Sequence, residues 1–101
     1  MYYIYMISCE DSTIYTGITT DPQRRLAEHG GYGGRGAKYT RSHKPEKLLA
    51  LWSCDDRSAA LKLEYRIKQL KRPQKEKLAE NGELEMLAGG LDIGSYEKIA
   101  L

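Results

Sequence analysis

The sequence predicts a small α+β domain, a three-stranded antiparallel or mixed sheet flanked by helices in the order β-β-α-β-α-α. Three observations predict it. Two runs rich in Tyr, Ile and Thr, at 2–8 and 13–18, follow each other at the start with a turn-type cluster between them. Such aromatic and β-branched runs suit a pleated, half-buried surface. Between 57 and 71, Ala60, Leu63, Ile67 and Leu70 recur at helical spacing, the stripe of a helix laid on a core. A third apolar run at 47–53 must return to the first two after a helix and a loop, which sets helices against a small sheet.

Each element has its own local signal. Residues 2–8 and 13–18 read as an antiparallel hairpin about the cluster Cys9-Glu10-Asp11-Ser12. Thr20 or Asp21 can cap a helix with Pro22 in its first turn. That helix runs to about His29, stops at Gly30-Gly31 and is anchored by Leu26. Residues 30–41 hold five of the ten glycines and read as a mobile loop. The run 47–53 follows Pro45; its length and flanks favour a strand over a helix. Asp55 or Asp56 caps the long helix, Pro73 marks a break, and a short helix at about 74–81 ends near Asn81-Gly82. Leu84, Met86 and Leu87 could pack as one turn, but Gly89, Gly90 and Gly94 suggest a loose, partly ordered tail. Residues 1–82 are therefore expected to form the domain and 83–101 a C-terminal tail.

At 101 residues the chain suits one domain with a modest core. The apolar start, Met1 to Ile7, is too short for a membrane span and has no basic leader. Cys9 and Cys54 lack the spacing of a zinc knuckle or redox pair, and read as reduced, half-buried thiols of a cytoplasmic protein. The net charge of +2 conceals a strong asymmetry. Residues 23–77 carry fifteen Lys or Arg against six Asp or Glu, whereas both ends are acidic. A basic middle of this kind fits a polyanion partner, although a solvated, salt-bridged surface would look similar.

The chemistry-bearing residues fall in a definite order. Tyr5 closes the run Tyr3-Ile4-Tyr5, and Tyr15 opens Tyr15-Thr16-Gly17 ten residues on. Arg25 and His29, four apart, share one helical face, while Arg24 points about 100° away. Glu64 borders Ala60 and Ile67 on the apolar side of the long helix, where a carboxylate calls for a partner; Lys68, one turn on, is one candidate. This order resembles the GIY-YIG nuclease domain over roughly residues 1–80. Tyr3-Ile4-Tyr5 departs from the first motif at its first position, and Tyr15-Thr16-Gly17 from the second at its middle. Some relatives carry Lys after the second motif, where this chain has Ile18. The resemblance is closest to the small stand-alone bacterial members.

The resemblance implies a metal-dependent endonuclease hydrolysing DNA phosphodiester bonds, structure-specific or repair-related, with RNA left open as a substrate. Arg25 matches the family's catalytic arginine, and its planar fork suits a phosphate. Tyr5 or Tyr15 would help activate water, and a tyrosine needs a nearby cation for that because its ordinary pKa is near 10. His29 would relay a proton or position the water. Glu64 would hold one divalent ion, Mg²⁺ or Mn²⁺, since such ions keep several waters and accept one or two carboxylates. Arg24, Arg35, Lys38, Tyr39, Arg41 and Lys68 would contact the nucleic acid, by charge and by stacking. No membrane role is expected, and a protein partner could supply specificity to so small a domain. The alternative is a nucleic-acid-binding module that keeps the fold but has little or no turnover.

Overall fold

A computed structural model describes residues 1–9, 12–29, 45–87 and 89–100, and within these it leaves out the side chains of 26–29 and 45–46. β1 (Tyr2–Cys9) and β2 (Ile14–Thr19) form the antiparallel hairpin, with Tyr5 opposite Gly17 and Ile7 opposite Tyr15. The Ser12 N–H donates to the Cys9 carbonyl at 2.9 Å, and Ser12 takes a left-handed φ of 68° to complete the turn. Helix α1 (Pro22–His29) begins at Asp21, whose carboxylate accepts from the Arg24 N–H at 3.1 Å. Pro22 occupies the first helical position, where a missing N–H costs nothing. β3 (Pro45–Cys54) then pairs antiparallel with β1 along its length, with register shifts between Met6 and Ile7 and between Ser8 and Cys9.

Asp56 caps α2 (Arg57–Lys68) by accepting from the Ala59 N–H at 2.7 Å. Helix α3 (Arg72–Asn81) carries Pro73 within its first turn, so the proline starts this helix. It ends at Gly82, whose left-handed φ of 67° lets its N–H reach the Leu78 carbonyl.

The expected three-stranded antiparallel or mixed sheet, and its order β-β-α-β-α-α, are corrected here. Among the described residues the sheet has four strands, all antiparallel, in the spatial order β2-β1-β3-β4. The fourth, β4 (Glu97–Lys98), lies in the segment read as a loose tail. It pairs Trp52 with Lys98 and Ser53 with Glu97, and the Ile99 N–H donates to the Leu51 carbonyl at 2.8 Å. Two exposed charged residues carry no strand signal of their own; the open edge of β3 recruits them. The glycines that suggested looseness make turns instead, with φ of 94° at Gly89 and 83° at Gly90. Two short 3₁₀ turns, Leu84–Leu87 and Ile93–Ser95, carry the chain to β4, and Leu84 and Leu87 are buried.

The sheet separates two clusters. One face presents Ile4, Met6, Ala50, Trp52 and Cys54 to the apolar stripe of α2 (Ala60, Leu63, Ile67), to Leu78 of α3 and to Leu84 and Leu87. The other face gathers Tyr5, Ile7 and Leu51, with Tyr3, Tyr15, Leu48 and Ile99 packed around them. The period-two geometry of β1 produces this division, since Ile4 and Met6 point one way and Tyr5 and Ile7 the other. Both cysteines are buried, more so than the half-buried reading expects. Burial, aided by the charge of Asp56, pushes the Cys54 thiol above its ordinary pKa.

Candidate functional site

Tyr5 stands at the centre of the second cluster. It is 1 % exposed, and its ring lies 6.1 Å from that of Tyr15 at an interplanar angle of 43°. Arg25 reaches over from α1 and donates from Nε to the Tyr5 hydroxyl at 3.4 Å. The contact joins residues twenty apart in the chain, one on a strand and one on the following helix.

Gly17 makes this arrangement possible. It sits opposite Tyr5 in the ladder, and a Cβ there would lie 2.5 Å from the Tyr5 hydroxyl oxygen and 2.7 Å from Cζ. The same Cβ would come within 3.2 Å of Cε1 of Tyr15. A side chain at this position would displace the Tyr5 ring from the surface of β2, and with it the hydroxyl that meets Arg25. The glycine of Tyr15-Thr16-Gly17 is therefore required by close approach of an aromatic ring, and no unusual backbone angle is involved.

The two tyrosines differ in electrostatic setting. Burial pushes the Tyr5 hydroxyl up to about 12; the Arg25 hydrogen bond opposes this and the neighbouring Tyr15 adds to it. At neutral pH Tyr5 is a protonated phenol, able to accept from Arg25. Tyr15 lies on the edge strand β2 and is only partly buried.

Glu64 lies on α2, in the helix layer packed against the opposite face of the sheet from Tyr5. Its carboxylate is 19 % exposed and meets the Lys68 ammonium at 3.5 Å. Lys68 is 52 % exposed, so this ion pair is long, solvated and easily exchanged. Among the described residues no group of three or more His, Cys, Asp and Glu could hold a metal ion. The donor set fits a hard ion bound through one carboxylate, with water and phosphate oxygens completing its shell, and does not fit a protein-built cage. Thr16, in the middle of the second motif, has a buried hydroxyl with no hydrogen-bond partner among the described residues.

Arg24 is exposed on α1. The His29 side chain, and all of Arg35, Lys38, Tyr39 and Arg41, lie outside the described residues, as does the expected mobile loop of 30–41. Sequence reasoning missed Ile99, which packs on the tyrosine cluster from just after a strand of two residues. No local pattern marks it.

A profile of the GIY-YIG catalytic domain matches residues 1–77. A UPF0213 protein of Halobacterium salinarum is 55% identical over 78 residues, covering 77% of this chain and 99% of the relative. A UPF0213 protein of Cupriavidus necator is 51% identical over 74 residues, covering 73% of this chain and 78% of the relative. The solution NMR structure of a UPF0213 protein from Bacillus halodurans is 41% identical, covers 89% of this chain and 88% of its own, and superposes with a TM-score of 0.49.

Proposed function

Because this chain belongs to the GIY-YIG catalytic domain family, we propose that it is a divalent-metal-dependent endonuclease acting on DNA, structure-specific or repair-related. The observation that carries the reading is the Arg25–Tyr5 pair, seated over Gly17 beside Tyr15. An arginine held against a buried neutral phenol is oriented before substrate arrives. Such preorganisation is what makes a cation effective on the charge that develops at a phosphate.

The division of labour follows from the two tyrosine environments. Tyr5 keeps its proton and holds Arg25 in place. Tyr15, nearer the open edge of the sheet, is the hydroxyl that would orient the attacking water. Arg25 would bind a non-bridging phosphate oxygen through its remaining N–H groups and offset the charge added in the transition state. Glu64 would hold Mg²⁺ or Mn²⁺, and the ion would supply Lewis-acid stabilisation of the phosphoryl oxygens. His29, at the end of α1, is the proposed proton relay to the leaving oxygen. Arg24 and Lys68, with Arg35, Lys38, Tyr39 and Arg41, would track the nucleic-acid backbone.

The test is cleavage of duplex, single-stranded, flapped and branched DNA, with RNA alongside, at several Mg²⁺ and Mn²⁺ concentrations. The reading expects metal-dependent cutting of at least one substrate, lost with EDTA and with Glu64→Gln. Salt-dependent binding without cutting on the whole panel would favour the binding module instead.

A further inference from the structure

Helix α2 has a second face that stands exposed among the described residues. Its inner residues Ala60, Leu63 and Ile67 are buried against the sheet. On the outer side Leu61 is 39% exposed and Tyr65 is 63% exposed. With Arg57 they stand four residues apart in sequence, forming one straight stripe. Ser58 and Lys62 flank the stripe, and these five side chains line an open groove. None of the five is acidic, so the groove combines two cations, a hydroxyl and an apolar floor with an uncovered aromatic ring.

We propose that this groove holds an unpaired strand of nucleic acid. A single strand fits the chemistry on both counts, since its phosphates meet Arg57 and Lys62 and a splayed base stacks on Tyr65. A duplex fits less well, because its bases already stack on each other and show Tyr65 only backbone. An acidic polypeptide would satisfy the two cations and leave the flat ring without a matching surface. From Arg57 to Tyr65 the helix rises about 12 Å, enough for roughly three nucleotides of a stacked strand. The inference rests on the nucleic-acid reading above and sharpens it, because substrates would then carry a single-stranded segment.

The test is fluorescence anisotropy of a dye-labelled oligothymidine with the full chain, without metal, at several salt concentrations. Tyr65→Ala should weaken binding about tenfold, and Tyr65→Phe should restore it. The double change Arg57→Ala with Lys62→Ala should weaken binding and flatten its salt dependence. Since these side chains are exposed, unchanged Trp52 fluorescence serves as the folding control. Unaltered oligothymidine binding by Tyr65→Ala would overturn the proposal. So would displacement of the oligonucleotide by poly-glutamate with equal potency, when Tyr65→Ala weakens both ligands alike. The cleavage panel separates the two readings. Oligothymidine binding that depends on Tyr65, without cutting, sinks the nuclease and leaves the groove. Cutting with Tyr65-independent binding does the reverse.

Discussion

The hydroxyl of Tyr5 depends on what is absent from Gly17. Restoring one methyl group with Gly17→Ala brings a carbon within 2.5 Å of that oxygen, so ring, strand or both must move. Overpacking of this kind costs about 1–3 kcal/mol, and thermal unfolding of the variant should fall accordingly. If Gly17→Ala melts with the wild type, the close approach is not structurally important. Tyr5 also has a signature in pH. Its pKa in the fold is about 12, above its ordinary value of 10. The unfolded chain therefore loses this proton first. The resulting stability is fully present below about pH 10 and disappears as pH rises towards 12. It amounts to on the order of 2–3 kcal/mol for a group this buried. Tyr96, raised to about 12 chiefly by burial and then by Cys54 and Asp56, acts in the same direction. Denaturant unfolding of wild type and Tyr5→Phe between pH 8 and 12 checks this: the variant should lose less stability over the range, and parallel curves would refute it.

At the scale of elements, the C-terminal segment is the part whose local signals mislead. Its strand is two residues long, and its stability comes from contacts that only the folded chain supplies. Arg66 donates to the Leu87 and Gly89 carbonyls, Tyr96 to the Ala59 carbonyl at 2.6 Å, and Lys98 to the Asn81 carbonyl at 3.0 Å. The stem of Lys98 lies where a Cβ on Gly82 would be, so the end of α3 and β4 fit together. Hydrogen exchange should find the Ile99 amide, bonded to Leu51, protected well above the amide of Gly94; equal exchange would show that β4 does not dock. The hairpin, α1, β3, α2 and α3 were legible because capping carboxylates, Pro22 and Pro73, and period-two or helical spacing act locally. The fourth strand was not, because pairing at an edge leaves no pattern in Glu97 and Lys98. The site divides similarly. Tyr5, Tyr15, Arg25 and Glu64 could be singled out by residue type and order. That Tyr5 is buried and neutral, and that Glu64 stands on a helix across the sheet from it, depends on which strand face each residue takes.

For the whole molecule, the basic run from 23 to 77 includes α1, α2 and α3, while the acidic ends include β1, β2 and β4. The three helices therefore carry nine of the fifteen cations of that run, and the sheet holds Tyr5 and Tyr15. β2 is one edge of the sheet, and α2 packs against β1 and β2. Tyr15 and Arg25 lie towards one face at that edge and the layer of Glu64 towards the other, so the proposed nuclease requires a phosphate at the edge to reach both. No helix among the described residues is long and apolar enough to cross a membrane. The most direct test of the central claim is single-turnover cleavage by wild type and Arg25→Ala on the best substrate from the panel. Both proteins are first shown to be folded by Trp52 fluorescence. A loss of about 10²–10³ in rate is predicted, the usual effect of removing a transition-state charge donor, with oligonucleotide binding reduced far less. Cleavage by Arg25→Ala at the wild-type rate would contradict the account.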